Sequence, residues 1–280
     1  MAKRLLVLFM IGMFVFLGVP IDANAQTYKT KEEVYRTVKA NLLAHKESFS
    51  INMTTNTMKE IGLNTDLFDA VIAMDDKNTS KDADYLKLTV NSWGESWKWS
   101  SLGGTATLTF TAEYETTLEQ EKILEAKMKN ALTKLKLNKA SDFKKVRAIH
   151  DYIIKKVSYD QTYSRHSAYD ALIDQSAVCE GYTAAAYRMF TDAGIECKVI
   201  TGVADGGPHS WNIVKVDGNW YNIDLTWDDP ITSTGEQVLR HDYFLKNTKD
   251  FGDHTRDLEY STGVFLKAYP IAETSYPLNK

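Results

Sequence analysis

His209-Ser210-Trp211-Asn212-Ile213-Val214-Lys215-Val216-Asp217-Gly218-Asn219-Trp220-Tyr221-Asn222-Ile223-Asp224 is the stretch that decides the fold. Asp217-Gly218 is a hairpin signal, because both residues accept the positive φ of the tight turns that join antiparallel strands. With those two at the tip, Val216 pairs with Asn219, Ile213 with Asn222 and Trp211 with Asp224. Directly paired residues share a face of the sheet, and so do alternate residues along one strand. His209, Trp211 and Asp224 therefore project from one side. His209 and Asp224 become diagonal neighbours with Cα atoms about 7–8 Å apart, within reach of a carboxylate–imidazole hydrogen bond. A slip of one residue would carry Asp224 to the opposite face, and Asp228 would then be the reserve carboxylate.

Upstream of the hairpin, Glu180 to Asp192 has helical character around Ala184-Ala185-Ala186, and Ala193-Gly194 can end the helix. Cys179 falls at its first turn, where unpaired N–H groups and the helix dipole favour a thiolate. Position alone leaves two readings open, a buried cysteine and a nucleophile. The histidine favours the nucleophile. A base beside the sulfur takes its proton and returns it to a leaving group. A carboxylate on the far ring nitrogen fixes the tautomer and stabilises imidazolium. Cys179, His209 and Asp224 are thus the candidate catalytic set. The other histidines compete poorly. His45 and His166 stand in polar surroundings, His150 lies in a helix and reads as structural, and His241 and His254 follow the hairpin with no strand pattern to aim them. The His and Cys residues show no tight ligand spacing, so no metal site and no cofactor are expected.

Three segments in this order resemble the transglutaminase-like superfamily: Ser176-Ala177-Val178-Cys179-Glu180-Gly181-Tyr182, Gly202 with His209-Ser210-Trp211-Asn212, and Trp220 through Asp224-Leu225-Thr226-Trp227-Asp228-Asp229-Pro230. Ala148-Ile149-His150-Asp151-Tyr152, Ser158-Tyr159-Asp160, Ala168 to Leu172 and His241-Asp242-Tyr243-Phe244 look familial as well. The similarity covers about residues 116–250 and is greatest to a bacterial exported branch. It implies an α+β fold with a papain-like core, the cysteine helix packed on an antiparallel sheet. It implies Cys179 as nucleophile, His209 as base and Asp224 as orienting carboxylate, attacking an amide carbonyl to form a thioester. Ser210 stands where alanine is common. The backbone N–H of Cys179 would serve an oxyanion hole, with Tyr169 as a guess for the second donor. Trp211 and Trp227 are cleft walls or core, and Asp205-Gly206-Gly207-Pro208 reads as a flexible loop beside the site.

The remaining sequence bounds the setting. The chain has 280 residues, 44% hydrophobic and 25% charged, an ordinary globular balance. Lys3 and Arg4, the apolar run Leu5 to Val19 and the small-residue site Ala23-Asn24-Ala25 make a signal peptide, with cleavage before Gln26; the run is short for a membrane anchor. The expected location is therefore secreted or cell-envelope associated. The net charge is −4. With the leader (Lys3, Arg4, Asp22) removed it becomes −5, which excludes an electrostatic nucleic-acid binder. Cys197 lies beyond the far end of a helix about 20 Å long, too far from Cys179 for a disulfide, and reads as a core thiol. No EF-hand-like loop occurs, so no calcium requirement is expected.

Glu32 to Leu43 reads as a helix, and Ser48 to Thr54, Asp84 to Val90 and Thr105 to Tyr114 as strands, with a turn at Gly103-Gly104. Thr116 and Glu119 form a capping box for a long helix, and Ser141 caps the next. The expected organisation is a leader at 1–25, an α/β region at 26–115 without a catalytic constellation, and a catalytic domain at 116–280. Two functions compete: an exported cysteine enzyme acting on protein or peptidoglycan peptides, and a non-enzymatic surface or scaffold module that keeps the fold, with residues 26–115 as its partner-binding part. Nothing in the sequence speaks to oligomeric state.

Overall fold

The computed structural model describes residues 26–63, 65–75, 79–100, 104–231 and 238–278. The leader expected at residues 1–25 lies outside them. The described residues form two compact units, one from within 26–75 and 89–115, the other from within 79–88 and 116–278. Residues 79–88 belong to the second unit, which a linear boundary at 115/116 does not anticipate.

The first unit is a four-stranded sheet with helices. Its elements are β1 (Thr27–Tyr28), α1 (Lys31–Leu43), β2 (Ser48–Thr54), α2 (Thr55–Ile61), α3 (Leu67–Ile72), β3 (Val90–Trp99) and β4 (Thr105–Tyr114), with sheet order β1-β2-β4-β3. The alternation read in β4 is real, since Ala106, Leu108, Phe110 and Ala112 are buried. β3, which carries Trp93, Trp97 and Trp99, is paired with β4 from Val90↔Tyr114 to Trp99↔Ala106. Gly104 takes φ +63 at the expected turn, while Gly103 lies outside the described residues.

The second unit begins with α4 (Asp84–Thr89), which corrects the strand expected at Asp84–Val90. Asp82, Tyr85, Leu86 and Thr89 are buried, a three-to-four-residue spacing that makes one helical face. Next come α5 (Leu118–Leu135) and α6 (Asp142–Ile154). The capping box of α5 is Thr117 with Gln120, one residue on from the expected pair. Thr116 Oγ1 instead donates to Glu121 Oε1 at 2.7 Å. Ser141 caps α6 as expected. Short strands β5 (Ser158–Tyr159) and β6 (Ser176–Ala177) lead into α7 (Cys179–Asp192). A second four-stranded sheet follows, built from β7 (Cys197–Ala204), β8 (Gly207–Val216), β9 (Asn219–Ile223) and β10 (His254–Arg256), in the order β10-β7-β8-β9. After it comes α8 (Gly263–Ala268).

Helix α7 packs on this sheet, and its small residues allow the close approach. Ala184, Ala185 and Ala186 are fully buried. Thr183 Oγ1 lies 3.1 Å from Ser210 Oγ of β8, and Asn212 Nδ2 donates to the Thr183 carbonyl at 3.3 Å. Gly181 is obligatory there, because a Cβ on it would stand 2.5 Å from Ala177 Cβ and 2.9 Å from the Ser167 carbonyl. This is the α+β arrangement, a cysteine helix on an antiparallel sheet, that the sequence implies. Among the described residues no helix is long and apolar enough to cross a membrane.

Candidate active site

The hairpin register places the first two residues. Val216 pairs with Asn219, Ile213 with Asn222 and Asn212 with Ile223. Asp217 and Gly218 take φ 50 and 85 at the tip, as the turn requires. Ladder pairing stops one step before Trp211 and Asp224, yet the geometry it imposes persists. His209 Nε2 donates to Asp224 Oδ2 at 2.6 Å. The two side chains are 7% and 1% exposed, so water does not compete for the bond. The supposed flexible loop at Asp205–Pro208 is a tight turn, with Ala204 paired to Gly207.

The third residue arrives from α7. Cys179 opens that helix, close enough to the His209 ring to act on it electrostatically. Its thiol also donates to Glu180 Oε2 at 3.1 Å. Burial alone would lower the basicity of His209, but the Asp224 charge and hydrogen bond, with a contribution from Cys179, hold its pKa well above the ordinary imidazole value. Burial opposes ionisation of Asp224, and the two histidines bonded to it, His209 and His254, hold it below the usual carboxylate range. The structure thus brings Cys179, His209 and Asp224 together. Cys179 and Cys197 are both free thiols, and burial pushes the Cys197 thiol up.

The surroundings differ from expectation. His254, set aside for want of a strand pattern, sits on β10 and reaches Asp224 Oδ2 at 3.0 Å. The carboxylate's other oxygen accepts from the backbone N–H groups of Thr226 and Trp227 at 2.8 and 3.2 Å. Asp228 is engaged elsewhere. Its Oδ2 lies 3.0 Å from His150 Nε2 and its Oδ1 accepts from the Tyr243 N–H at 2.9 Å. His150 Nδ1 lies 3.0 Å from Asp151 Oδ1, which also takes His241 Nε2 at 2.8 Å. A fully buried histidine between two carboxylates knits α6 to the segment after β9, so His150 is structural, as its helical setting suggests.

An open cleft of about 350 Å³ borders His209 and is lined by Tyr159, Thr226, Trp227, Asp229, Pro230 and Ile231. Trp227 is a cleft wall, while Trp211 is core at 1% exposure. Tyr169, the guessed oxyanion donor, is not among the lining residues; Tyr159 is. Burial, with the charge of Cys179 behind it, pushes the Tyr159 hydroxyl up to about 12, so it is a proton donor at neutral pH. Ligand atoms of His209, Asp224 and His254 lie within 4.8 Å of one another, as do those of His150, Asp151 and His241. Either group could hold a metal ion, although all of these ring nitrogens already face carboxylates.

Residues 129–225 match the model of the transglutaminase-like superfamily, and that span contains Cys179, His209 and Asp224. The chain carries a transglutaminase-like core. Two curated relatives, the kyphoscoliosis peptidases of Homo sapiens and Mus musculus, are each 31% identical to it over 140 residues, covering 42% of this chain and 21% of theirs. The chain thus spans about a fifth of the length of these relatives. A solved structure of a TGase is similar at 17% identity and a TM-score of 0.37, covering 64% of this chain and 51% of that one. Within the matched residues the Cys179 helix, the His209 strand and Asp224 follow one another in the order of the sequence motifs.

Proposed function

We propose that this chain is an exported, thiol-dependent enzyme that attacks amide bonds of protein or cell-wall peptides, with Cys179, His209 and Asp224 as its catalytic residues. The observation that carries the reading is the buried 2.6 Å bond from His209 Nε2 to Asp224 Oδ2, with Cys179 at the start of the helix packed on the same sheet. Nε2 is engaged by the carboxylate, which leaves Nδ1 to face the sulfur. His209 takes the thiol proton and the thiolate attacks the carbonyl carbon. The carbonyl π electrons move to oxygen, and the Cys179 N–H at the start of α7 is placed to stabilise the resulting oxyanion. As the oxyanion collapses the C–N bond breaks, and His209 protonates the leaving amine. The product is a thioester on Cys179. Water or a second amine then attacks it, His209 takes that nucleophile's proton, and the thiolate leaves. Asp224 holds the imidazole in the required tautomer throughout.

The leader-like residues 1–25 support export, and with it a secreted or envelope substrate. The peptidase name of the mammalian relatives agrees with an amide as the bond attacked. The test is to incubate the protein with glutamine-containing peptides and with peptidoglycan stem peptides, then identify the acyl group on Cys179 by mass spectrometry. A thioester from either class, absent in Cys179→Ala, is the expected result. No adduct from any amide substrate would leave the non-enzymatic module as the better reading.

A further inference from the structure

Asp224 holds two histidines, and only one of them serves the sulfur. Its Oδ2 takes His209 Nε2 at 2.6 Å and His254 Nε2 at 3.0 Å. Its Oδ1 takes the N–H groups of Thr226 and Trp227. We propose that His254 is a positioning residue of the site, holding the Asp224 oxygen on which His209 depends and setting how strongly that oxygen grips the His209 proton.

The His254 side chain is completely buried. Aromatic rings enclose it: Phe251 stacks at 3.9 Å, Trp227 lies at 4.6 Å and Trp211 meets it edge-on at 5.0 Å. An imidazole in such a cage is expensive to desolvate unless its nitrogens are bonded. Both are. Nδ1 faces Asp253 Oδ1 at 2.8 Å, and Asp253 Oδ2 accepts the Tyr243 hydroxyl at 2.6 Å. A continuous line of hydrogen bonds therefore runs from Tyr243 through Asp253, His254 and Asp224 to His209. A cage that asked only for packing would be filled by an apolar ring, which desolvates without penalty.

The physical consequence follows from sharing one oxygen. A second donor on Oδ2 draws charge away from the bond to His209, so Asp224 is a weaker base toward it. The second donor also removes freedom from the carboxylate, which must stay within a fraction of an ångström of its working position. The groups facing His254 are Asp253, which immediately precedes its strand, Asp224 after β9, His209 on β8 and the ring of Tyr243, whose hydroxyl donates to Asp253. Without the donor, Asp224 would hold the His209 proton more tightly but in a looser geometry.

The test compares His254→Gln with His254→Asn, with His254→Phe as a third variant. The glutamine amide reaches the Nε2 position and keeps an N–H on Asp224; the shorter asparagine amide does not. The readout is the rate of Cys179 alkylation by iodoacetamide across pH 5 to 10, with thermal melting to confirm folding. Expected is a rate within about threefold of the unmutated protein for His254→Gln. A fall of about tenfold or more is expected for His254→Asn and His254→Phe, typical of losing an outer-shell partner. Only in the last two should the alkaline limb of the profile move, toward higher pH. Unchanged rates and profiles in His254→Asn would overturn the proposal, as would equal slowing of the glutamine and asparagine variants. The proposal rests on the acyl-transfer reading, but the two fail separately. Unmutated Cys179 that alkylates no faster than a free model thiol sinks that reading, whereas the variants bear only on His254.

Discussion

A carboxylate that orients a base does more than supply charge. Asn at position 224 would keep the shape of Asp224 but cannot hold an imidazolium, and it favours the wrong His209 tautomer. Asp224→Asn should slow thioester formation by roughly 10³–10⁴-fold, followed by rapid-quench acylation with any substrate found to load Cys179. A loss of less than tenfold would remove Asp224 from the orienting role. Asp229 presents the opposite case. It lies on the cleft wall, and burial raises its pKa to about 6 against the lowering effect of the Tyr182 hydroxyl, which donates to its Oδ2 at 2.6 Å. The folded chain therefore keeps this proton to higher pH than the unfolded one, so stability falls as pH rises from the ordinary carboxylate range through about 6. Asp229→Asn, which still accepts from Tyr182, should be as stable as the unmutated protein at pH 4. At pH 8 it should be more stable, by on the order of 1 kcal/mol once solvent screening at the cleft mouth is allowed for. Urea melts at the two pH values decide it, and a variant less stable at pH 8 than at pH 4, relative to the unmutated protein, refutes the assignment. Both carboxylates could be read as side chains flanking a hairpin. Their different tasks could not, because those depend on what closes over each from elsewhere in the chain.

Gly202 shows at the level of elements how His254 reaches its place. It sits in β7 opposite Arg256 of β10, and a Cβ there would run into the Thr255 backbone carbonyl, with the Arg256 Cα 3.0 Å away. Backbone cannot step aside as a side chain can, so Gly202→Ala should push β10 off the sheet. The expected result is a destabilisation of about 1–3 kcal/mol together with slower Cys179 alkylation, since His254 leaves with its strand. Normal alkylation in a destabilised but folded variant would separate the strand from the site. This dependence explains why the triad was legible and the second histidine was not. Cys179, His209 and Asp224 lie on or beside elements with their own periodicity, a helix start and an alternating hairpin. β10 has three residues, no alternation, and a position set by a glycine some fifty residues earlier. α4 hides its helical character for a related reason. Asp84-Tyr85-Leu86-Lys87-Leu88-Thr89 fits a strand loosely, and the spacing of its buried residues appears only once the partners on α5 and α7 are present. Those partners include a buried ion pair. Arg188 of α7 donates to Glu121 Oε2 at 3.0 Å and to Ser80 Oγ at 2.9 Å, while Tyr85 and Thr116 donate to Glu121 Oε1. Arg188→Met alone should cost about 3–5 kcal/mol by stranding a buried carboxylate, and adding Glu121→Leu should restore at least half of that. A double variant no better than the single one would mean that packing, not charge, is what Arg188 contributes.

Taken as a whole, the molecule has two cores on one chain, and the boundary between them is not a single cut. A helix at 84–89 belongs with the core that resumes at residue 116; it supplies Tyr85, and the segment just before it supplies Ser80, to the polar cluster around Arg188. The linear reading, 26–115 against 116–280, finds the change in character but not the excursion. Composition changes gradually across the sequence, whereas the ownership of a short helix is decided by which apolar face covers it. A chain of residues 116–280 alone would therefore expose the Tyr85 site and leave Glu121 and Arg188 short of partners that they use when buried, a situation that costs about 1–3 kcal/mol per orphaned group. The geometry suggests the remedy. The Glu115 N–H donates to the Thr89 carbonyl at 2.9 Å, so the ends of the excursion through β3 and β4 meet. Residues 79–89 joined by two glycines to 115–280 should fold cooperatively and melt well above 116–280 alone. Calorimetry and the rate of Cys179 alkylation would report on fold and site together. Equal melting of the two chains would mean that α4 is an ornament on the second core rather than part of it.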